Sequence, residues 1–374
     1  MKIIHFVIDD KFIDGAITLF ESDSRVINHY VITQRHERKF KYLKNEKIRR
    51  LSVSNISKEI SNYDVAVLHS LMAIPIERIA DIPKSVKVVW FAWGFDLYKD
   101  VFEKVIPTAL YERQTKQFLR KQFHFFSFFK NFKELGRKIW YNQYLNSALN
   151  RIDYFSGVFP YEYEEIKKKH SCFKACPLDF YYGSKKFFIP EEPDLQINHG
   201  KKNVIIGNSG DASNNHLDVL QILKDNNCIV EGQLIIPLSY ACEDNYADSI
   251  CGLANKIYPN KVNALRTYLP LNDYLKLTSN CRVAIYAHNR QQASDNIFLQ
   301  LLYGAKVYMS EKSLAYHYLK SIGLKVFSLE KDIASFHKNI SDEDVIKNRR
   351  ILSSLYSSTK LIDRVKKIND ILMG

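Results

Sequence analysis

Several features are missing from this 374-residue chain, and each absence removes a class of function. No apolar run approaches the roughly 20 residues needed to span a bilayer, so a soluble or peripheral protein is expected. Cysteine is sparse. The six, at 172, 176, 228, 242, 251 and 281, show no metal spacing and no dense framework. Cys172 and Cys176 have no second pair and no nearby histidine pair, so all six read as reduced thiols of a cytosolic protein. Met1-Lys2-Ile3-Ile4-His5 lacks a signal-peptide layout and reads as a first strand. There is no P-loop, no G-x-G-x-x-G, no zinc signature and no nucleophile elbow.

Positive charge is abundant. The chain carries 54 Lys+Arg against 41 Asp+Glu, a net +13, with a pI near 9.2. Such a balance points to an anionic partner: nucleic acid, a membrane surface or a phosphorylated substrate. Residues 35–50 hold eight Lys/Arg against two Glu, and 113–138 are similarly basic. Both stretches lie in the first half, where the anionic surface is expected to be met.

Length and a 46% hydrophobic content suit two domains. Strands are predicted at 2–8, 26–33, 63–68, 86–90 and 153–158, with helices at 13–20 and 161–169. Proline, glycine and charge mark a linker at 183–200. The alternation then restarts, with strands at 204–206, 233–236, 262–269, 283–287, 306–309 and 325–327. Helices are expected at 214–226, 245–257, 271–279, 294–303 and 313–321, and a last one at 342–372. Strand–helix alternation gives a doubly wound α/β sheet. The expected division is residues 1–185, which hold both basic stretches, and 186–354, with a terminal helix at about 355–374 as a candidate to pack back on the first. Two Rossmann-like domains in series suggest a GT-B architecture whose sheets face each other across a cleft.

Residues 113–146 read as one long helix or a pair broken at Gly136. Phe118, Phe125, Phe128, Phe129, Phe132 and Trp140 cluster on one side. Arg113, Lys116, Arg120, Lys130, Arg137 and Lys138 cluster on the other. The pattern suits a helix lying on an anionic membrane, but amphipathic helices more often pack on a core with the basic face solvated.

The stretch from Lys202 to His216 organises the second domain. A short apolar strand runs into Gly207-Asn208-Ser209-Gly210-Asp211-Ala212-Ser213-Asn214, then into a helical pattern. Strand, glycine turn and helix offer backbone N–H groups to a phosphate. A plain capped βα turn fits the same pattern. Two further groups follow predicted strands: Pro237 with Tyr240, and Tyr286 through Arg290, Gln291 and Gln292 to Ser294, Asp295 and Asn296. Arg290 suits a diphosphate, since its planar fork binds two oxygens at once. In the first domain Asp9, Asp10, His69 and Asp96 lie just past strands. Of these Asp10, His69 and Asp96 are the candidates to take a proton from an attacking hydroxyl. No D-x-D follows a strand in the second domain, so no metal site is expected.

At these residues the chain resembles the 4-acetamido-4,6-dideoxygalactose (Fuc4NAc) transferases of glycosyltransferase family 56. The matching pieces are Trp90-Phe91-Ala92-Trp93-Gly94-Phe95-Asp96-Leu97-Tyr98, the Gly207–Asp211 run with Ser213, Asn214 and His216, Ile236-Pro237 with Tyr240, Asp273-Tyr274, and Arg290-Gln291-Gln292. They span roughly residues 2–330. The resemblance implies a GT-B fold, a dTDP-sugar donor and no cofactor. It implies a polyprenyl-diphosphate-linked glycan acceptor at the cytoplasmic face of the bacterial inner membrane. The chain departs from the family at Ala293-Ser294-Asp295-Asn296, where glycine-bearing sequence is usual. Two rivals remain at this point: a nucleotide-sugar epimerase or hydrolase, and a basic headgroup- or nucleic-acid-binding protein. Against nucleic acid, the aromatics follow helical spacing and no recognition motif is present.

Overall fold

The apolar runs become parallel strands because a sheet covered by helices on both faces buries every position. The computed structural model describes residues 1–33, 39–98, 105–122, 128–182, 189–194 and 196–374, with the backbone alone over 128–135 and at 137–138. In chain order the first part contains β1 (Lys2–Val7), α1 (Ile13–Phe20), β2 (Ile27–Thr33), β3 (Ile48–Leu51), α2 (Ile56–Ile60), β4 (Val65–Leu68), α3 (Ile76–Ile79), β5 (Lys87–Phe91) and α4 (Gly94–Tyr98). Next come α5 (Arg113–Gln122), α6 (Phe128–Arg151), β6 (Tyr154–Ser156), α7 (Pro160–Lys169) and β7 (Cys176–Pro177). The rest comprises β8 (Asn203–Ile206), α8 (His216–Asp225), β9 (Leu234–Pro237), α9 (Asp244–Ile257), β10 (Val262–Leu265), α10 (Leu271–Ser279) and β11 (Cys281–Tyr286). It ends with α11 (Ser294–Tyr303), β12 (Lys306–Met309), α12 (Leu314–Ser321), β13 (Phe327–Ser328), α13 (Asp342–Tyr356) and α14 (Ser358–Met373).

The chain forms two compact units. The first comprises Met1–Pro107, Phe128–Phe188 and Tyr356–Gly374, and the second Thr108–Ser127 and Ile189–Leu355. Among the described residues the first unit holds a seven-stranded parallel sheet in the order β3-β2-β1-β4-β5-β6-β7. The second holds six strands in the order β10-β9-β8-β11-β12-β13. Strand order reverses between β1 and β4 in one and between β8 and β11 in the other. These are the switch points beyond which open α/β sheets bind ligands. Val204, Ile205, Ile206, Val283, Ala284 and Ile285 are fully buried in the second core. Each large aliphatic contributes about 1.5–3 kcal/mol through loss of water contact.

Four expectations are corrected. Strand β3 lies inside the basic run, because Ile48-Arg49-Arg50-Leu51 is an edge strand with an exposed face. The segment 108–127 joins the second unit although residues on both sides belong to the first. Helix α6 runs unbroken through Gly136, where a Cβ would meet nothing within 4 Å. The single terminal helix is two, separated by Ser357 in an extended conformation (φ −65°, ψ 162°). In the first unit α14 is held by Asn369 donating to Asp23 (3.1 Å), the Arg25–Asp370 pair (2.6 Å) and Lys87 Nζ on the Leu372 carbonyl (2.8 Å).

Candidate functional site

Strand β8 ends at Gly207, whose φ of +69° is strained for any residue with a Cβ. A Cβ there would lie 2.6 Å from Asn214 Oδ1 and 2.7 Å from His216 Nε2. The turn then folds on its own polar groups. Asn214 Oδ1 accepts the Asn208 N–H (3.0 Å), and its amide donates to Ser209 Oγ (3.2 Å) and the Asp211 carbonyl (2.9 Å). Asp211 Oδ1 accepts the Ser213 N–H (2.9 Å) and caps a short 3-10 turn. Gly210 donates to the Tyr240 carbonyl (2.9 Å) and packs so tightly on Cys242 that a Cβ would fall 2.1 Å from the cysteine Cβ. The first two strand-end loops are thereby joined.

The loop after β11 closes on the same turn. Gln292 Nε2 donates to Asn208 Oδ1 (3.1 Å), and the Ser213 hydroxyl lies between Gln292 Oε1 (2.9 Å) and Asp211 Oδ1 (2.7 Å). His288 Nε2 donates to Asn214 Oδ1 (2.7 Å). Burial, then the neighbouring Arg290 charge, pushes the His288 imidazole down to about 3, so it stays neutral. His216 is also driven down to about 3 by burial. Ala293 sits at the cap position of α11 with a left-handed φ of +62° and has no side-chain acceptor to give the first-turn amides. The start of a ten-residue helix thus adjoins Arg290, Gln291 and Gln292, and its N-terminus favours negative charge.

The structure sorts the predicted donor residues. Asn208, Asp211, Gln292 and Asp295 are partly exposed at the strand-end edge, and Tyr240 is exposed. Gly207, Ser209, Gly210, Ser213 and Asn214 are buried and shape the turn from within. Pro237 is buried at the end of β9, and Tyr286 is buried with its hydroxyl lacking a partner among the described residues. Asn296 is committed elsewhere, accepting from the Tyr274 hydroxyl (2.8 Å). Arg290 is 9% exposed and Gln291 5%, so the guanidinium is set in the loop rather than waving from the surface.

Sequence reasoning missed a strap across the start of α8. Asp218 accepts from the Gln114 N–H (2.6 Å), the Thr115 N–H (3.0 Å) and the Thr115 hydroxyl (2.7 Å), so it caps α5 from another helix. Asn215 accepts the Glu112 N–H (2.9 Å) and donates to the Leu110 and Ala287 carbonyls (3.2 and 2.8 Å). Asn289 donates to the Ala109 carbonyl (2.9 Å) and Glu112 (2.6 Å). The only sequence signal was a cluster of buried-type polar residues, Asn215 to Asp218, opening an apolar helix.

Of the two readings of residues 113–122, Phe118 follows the core-facing one. Phe118 does not face outward: its ring packs on Tyr246 of the second core, at 5.3 Å. Arg113, Lys116 and Arg120 of the same helix are exposed. Phe125 lies outside the described residues, as do the side chains of Phe129, Lys130 and Phe132. On α6 Trp140 and Ile139 are exposed, with the Tyr141 and Tyr144 rings beside Trp140 at 5.3 and 5.4 Å.

In the first unit two of three proton-transfer candidates are locked inside. His69 Nε2 bonds His5 Nδ1 (3.1 Å) and its Nδ1 bonds the Tyr182 hydroxyl (2.9 Å). His5 continues to Asn28 (3.0 Å), and Trp93 donates to Tyr182 (3.0 Å). Burial holds the His69 pKa well below its usual range. Asp96 is fully buried and accepts from Ser70 Oγ (2.6 Å), the Trp93 N–H (3.1 Å) and Trp90 Nε1 (3.3 Å). Burial raises it to about 6. Both residues are buried and bond to neighbouring strand-end groups. Asp10 differs. It is partly exposed, its Oδ1 accepts the Phe12 N–H (3.1 Å), and burial raises its pKa. Asp9 is used in the fold: it accepts the N–H groups of Lys41, Tyr42 and Leu43.

Residues 180–356 match the family described as 4-alpha-L-fucosyltransferase glycosyl transferase group 56. Among solved structures the fold is similar to the lipopolysaccharide outer core galactosyltransferase WaaB in its apo form (TM-score 0.62, 9% identity, 99% of each chain covered). It is similar to Anabaena HepE in complex with UDP (0.62, 11%, 100% of each chain). It is similar also to WaaG, a glycosyltransferase involved in lipopolysaccharide biosynthesis (0.55, 14%, 100% of each chain). At these identities the structural likeness speaks for the fold, and the family match for the chemistry. The chain is a glycosyltransferase of the GT-B fold, and its residues 180–356 are similar to group 56.

Proposed function

We propose that this glycosyltransferase moves a deoxyaminosugar of the Fuc4NAc type from a dTDP-sugar to a polyprenyl-diphosphate-linked oligosaccharide in bacterial surface glycan synthesis. The observation that carries the donor side is the joining of two strand-end loops. Asn208, Ser213 and Gln292 bond across the β8–β11 switch point, beside Arg290 and the start of α11. This arrangement sets positive potential where the diphosphate leaving group gathers charge. The family description as a fucosyltransferase supports a 6-deoxyhexose.

In the transfer the acceptor oxygen forms a bond to the sugar's anomeric carbon. The bond from that carbon to the diphosphate oxygen breaks, and the diphosphate departs with the electron pair. The acceptor's proton passes to Asp10, the partly exposed carboxylate at the first switch point. Burial raises its pKa, which makes it a stronger proton acceptor than an exposed aspartate. No metal or cofactor enters this scheme. Exposed Ile139 and Trp140 on α6 support a peripheral seat on the cytoplasmic face of the inner membrane, since aromatic side chains favour the headgroup level. Loss of flotation with anionic vesicles in an Ile139→Ser, Trp140→Ser variant is the expected check.

The central test is thermal unfolding with dTDP, UDP and GDP at matched concentrations. A nucleotide at about 100 times its dissociation constant adds roughly 2.7 kcal/mol of stability. A dTDP-selective rise, lost in Arg290→Ala, is expected. A UDP- or GDP-selective rise keeps the transferase and discards the donor. No rise with any nucleotide rejects the donor site.

A further inference from the structure

Four consecutive residues of the loop after β11, Ala287 to Arg290, are pinned. Asn215 donates to the Ala287 carbonyl (2.8 Å), His288 bonds Asn214 (2.7 Å), and the Ser313 hydroxyl lies 3.5 Å from the Arg290 carbonyl. Asn289, 3% exposed, is held by three groups. Its amide hydrogens go to the Ala109 carbonyl (2.9 Å) and Glu112 Oε1 (2.6 Å), and its Oδ1 accepts from Ser310 Oγ (2.9 Å). Both donors of the side chain are thus spent on the strap, which lies outside the residues matched to group 56.

Glu112 is the charged member of this set. It also pairs with Lys312 Nζ (2.5 Å). Burial alone would raise the Glu112 carboxyl, but Lys312 and Asn289 outweigh burial and hold it below the usual range. It stays ionised, so its bond to Asn289 is charge-assisted and stronger than a neutral one. Lys312 offsets a negative charge that would otherwise repel an anion bound beside Arg290. The next residue after Asn289 is Arg290. A guanidinium grips two phosphate oxygens only when its planar fork is aimed at them, and the groups behind it set that aim.

We infer that Glu112 is a positioning residue for the donor: through Asn289 it fixes the backbone from which Arg290 presents its guanidinium to the diphosphate. Resting on the donor reading above, this role adds to the site a residue 177 positions before Asn289 in the chain. A strap that merely stabilised the unit would affect every form of the site alike. Positioning is specific to the fork, because a lysine in place of Arg290 is a point charge on a flexible stem and needs no aim.

The test measures dissociation constants of dTDP, UDP and GDP by calorimetry on the full chain. The proteins are wild type, Glu112→Ala, Glu112→Gln, Arg290→Lys and Glu112→Ala/Arg290→Lys, with folding checked by circular dichroism and Tm. For a nucleotide that wild type binds, Glu112→Ala is expected to weaken binding about tenfold, but less than about twofold once Arg290→Lys is present. Glu112→Gln keeps an acceptor for Asn289 and should stay within about threefold of wild type. If Glu112→Ala does not fold, Glu112→Asp replaces it, drawing the carboxylate back by one methylene. About a threefold loss is then expected, with the same dependence on Arg290. Wild-type affinity in the Glu112 variant overturns the inference, as does an equal loss in both backgrounds. Arg290→Lys binding as wild type, or Glu112→Gln losing as much as Glu112→Ala, overturns it too. If wild type binds no nucleotide, the donor reading itself fails, and the positioning role falls with it.

Discussion

At the switch point of the first sheet, between β1 and β4, the polar side chains bond to one another. Asn28, His5, His69, Tyr182 and Trp93 form one hydrogen-bonded chain, buried at His5, His69 and Trp93, and Asp96 gathers Ser70, Trp90 and the Trp93 amide. At the switch point of the second, between β8 and β11, the innermost groups also bond among themselves. There, however, the edge retains partly exposed Asn208, Asp211 and Gln292, with backbone bent through Gly207 and Ala293. The difference teaches that polar residues past a strand are not equivalent. Those of the first unit mostly secure loops and leave Asp10 at the edge. Those of the second shape the turn from within and leave Asn208, Asp211 and Gln292 partly exposed at its edge.

The largest break of this comparison is Gly207→Ala. A Cβ at φ +69° costs about 1–2 kcal/mol in backbone strain, and its approach to Asn214 and His216 adds about 1–3 kcal/mol. A fall in Tm of roughly 5–15 °C is expected, with loss of the nucleotide-induced shift. Gly252→Ala in α9 of the same unit is the control, since a Cβ there meets nothing within 4 Å. It should gain about 0.5–1 kcal/mol from helix propensity. A Gly207→Ala protein as stable as wild type would show that the turn tolerates a side chain and is not shaped as described.

The second break concerns charge in the first unit. Glu162 is fully buried, accepting the Val158 and Phe159 N–H groups (2.7 and 3.1 Å) and the Tyr98 hydroxyl (3.0 Å). Burial raises it to about 7. A raised carboxyl contributes stability that is fully present below its unfolded pKa, near 4.5, and lost as pH rises through about 7. Wild type should therefore gain on Glu162→Gln as pH falls from 8 to 5. Each pH unit by which the folded pKa exceeds the unfolded one is worth about 1.4 kcal/mol, so the change should reach a few kcal/mol. Buried His5, His69, His216 and His288 act oppositely, and their stability is lost as pH falls below about 6.5. Reading the variant against wild type cancels them. Parallel Tm curves from pH 5 to 8 would show that Glu162 does not titrate in this interval.

Much of the fold was legible because parallel strands buried on both faces must be apolar without interruption, as in 204–206 and 65–68. Strand β3 was not, because an edge strand bearing Arg49 and Arg50 looks like a charge run. Nor was the docking of α5. Its Phe118 and basic residues fit a membrane helix as well as a packed one, and the deciding contacts come from Asp218 and Asn215, about a hundred residues away. The turn after β8 was legible from its glycines, and Gly207 indeed takes a left-handed φ. The first unit's candidates were not separable, since sequence places Asp10, His69 and Asp96 alike past strands while burial treats them oppositely.

The smallest expected effect, and the sharpest on the site's shape, is Ala293→Gly. The family 56 sequences that this chain resembles tend to carry glycine after the Arg-Gln-Gln motif, whereas this chain has alanine with φ +62°. Alanine in the left-handed region costs about 1–2 kcal/mol. Glycine removes that strain and gives back about 0.5–1 kcal/mol through the greater freedom of its unfolded chain. A net gain of roughly 0.5–1 kcal/mol is expected, a rise in Tm of about 1–4 °C. Donor-nucleotide affinity should stay within twofold, because the bonds from Gln292 to Asn208 and Ser213 precede the substituted residue. A drop in Tm would mean that the Ala293 methyl packs favourably enough to outweigh its strain. The departure from glycine would then be a repacked helix entry rather than a strain that the fold tolerates.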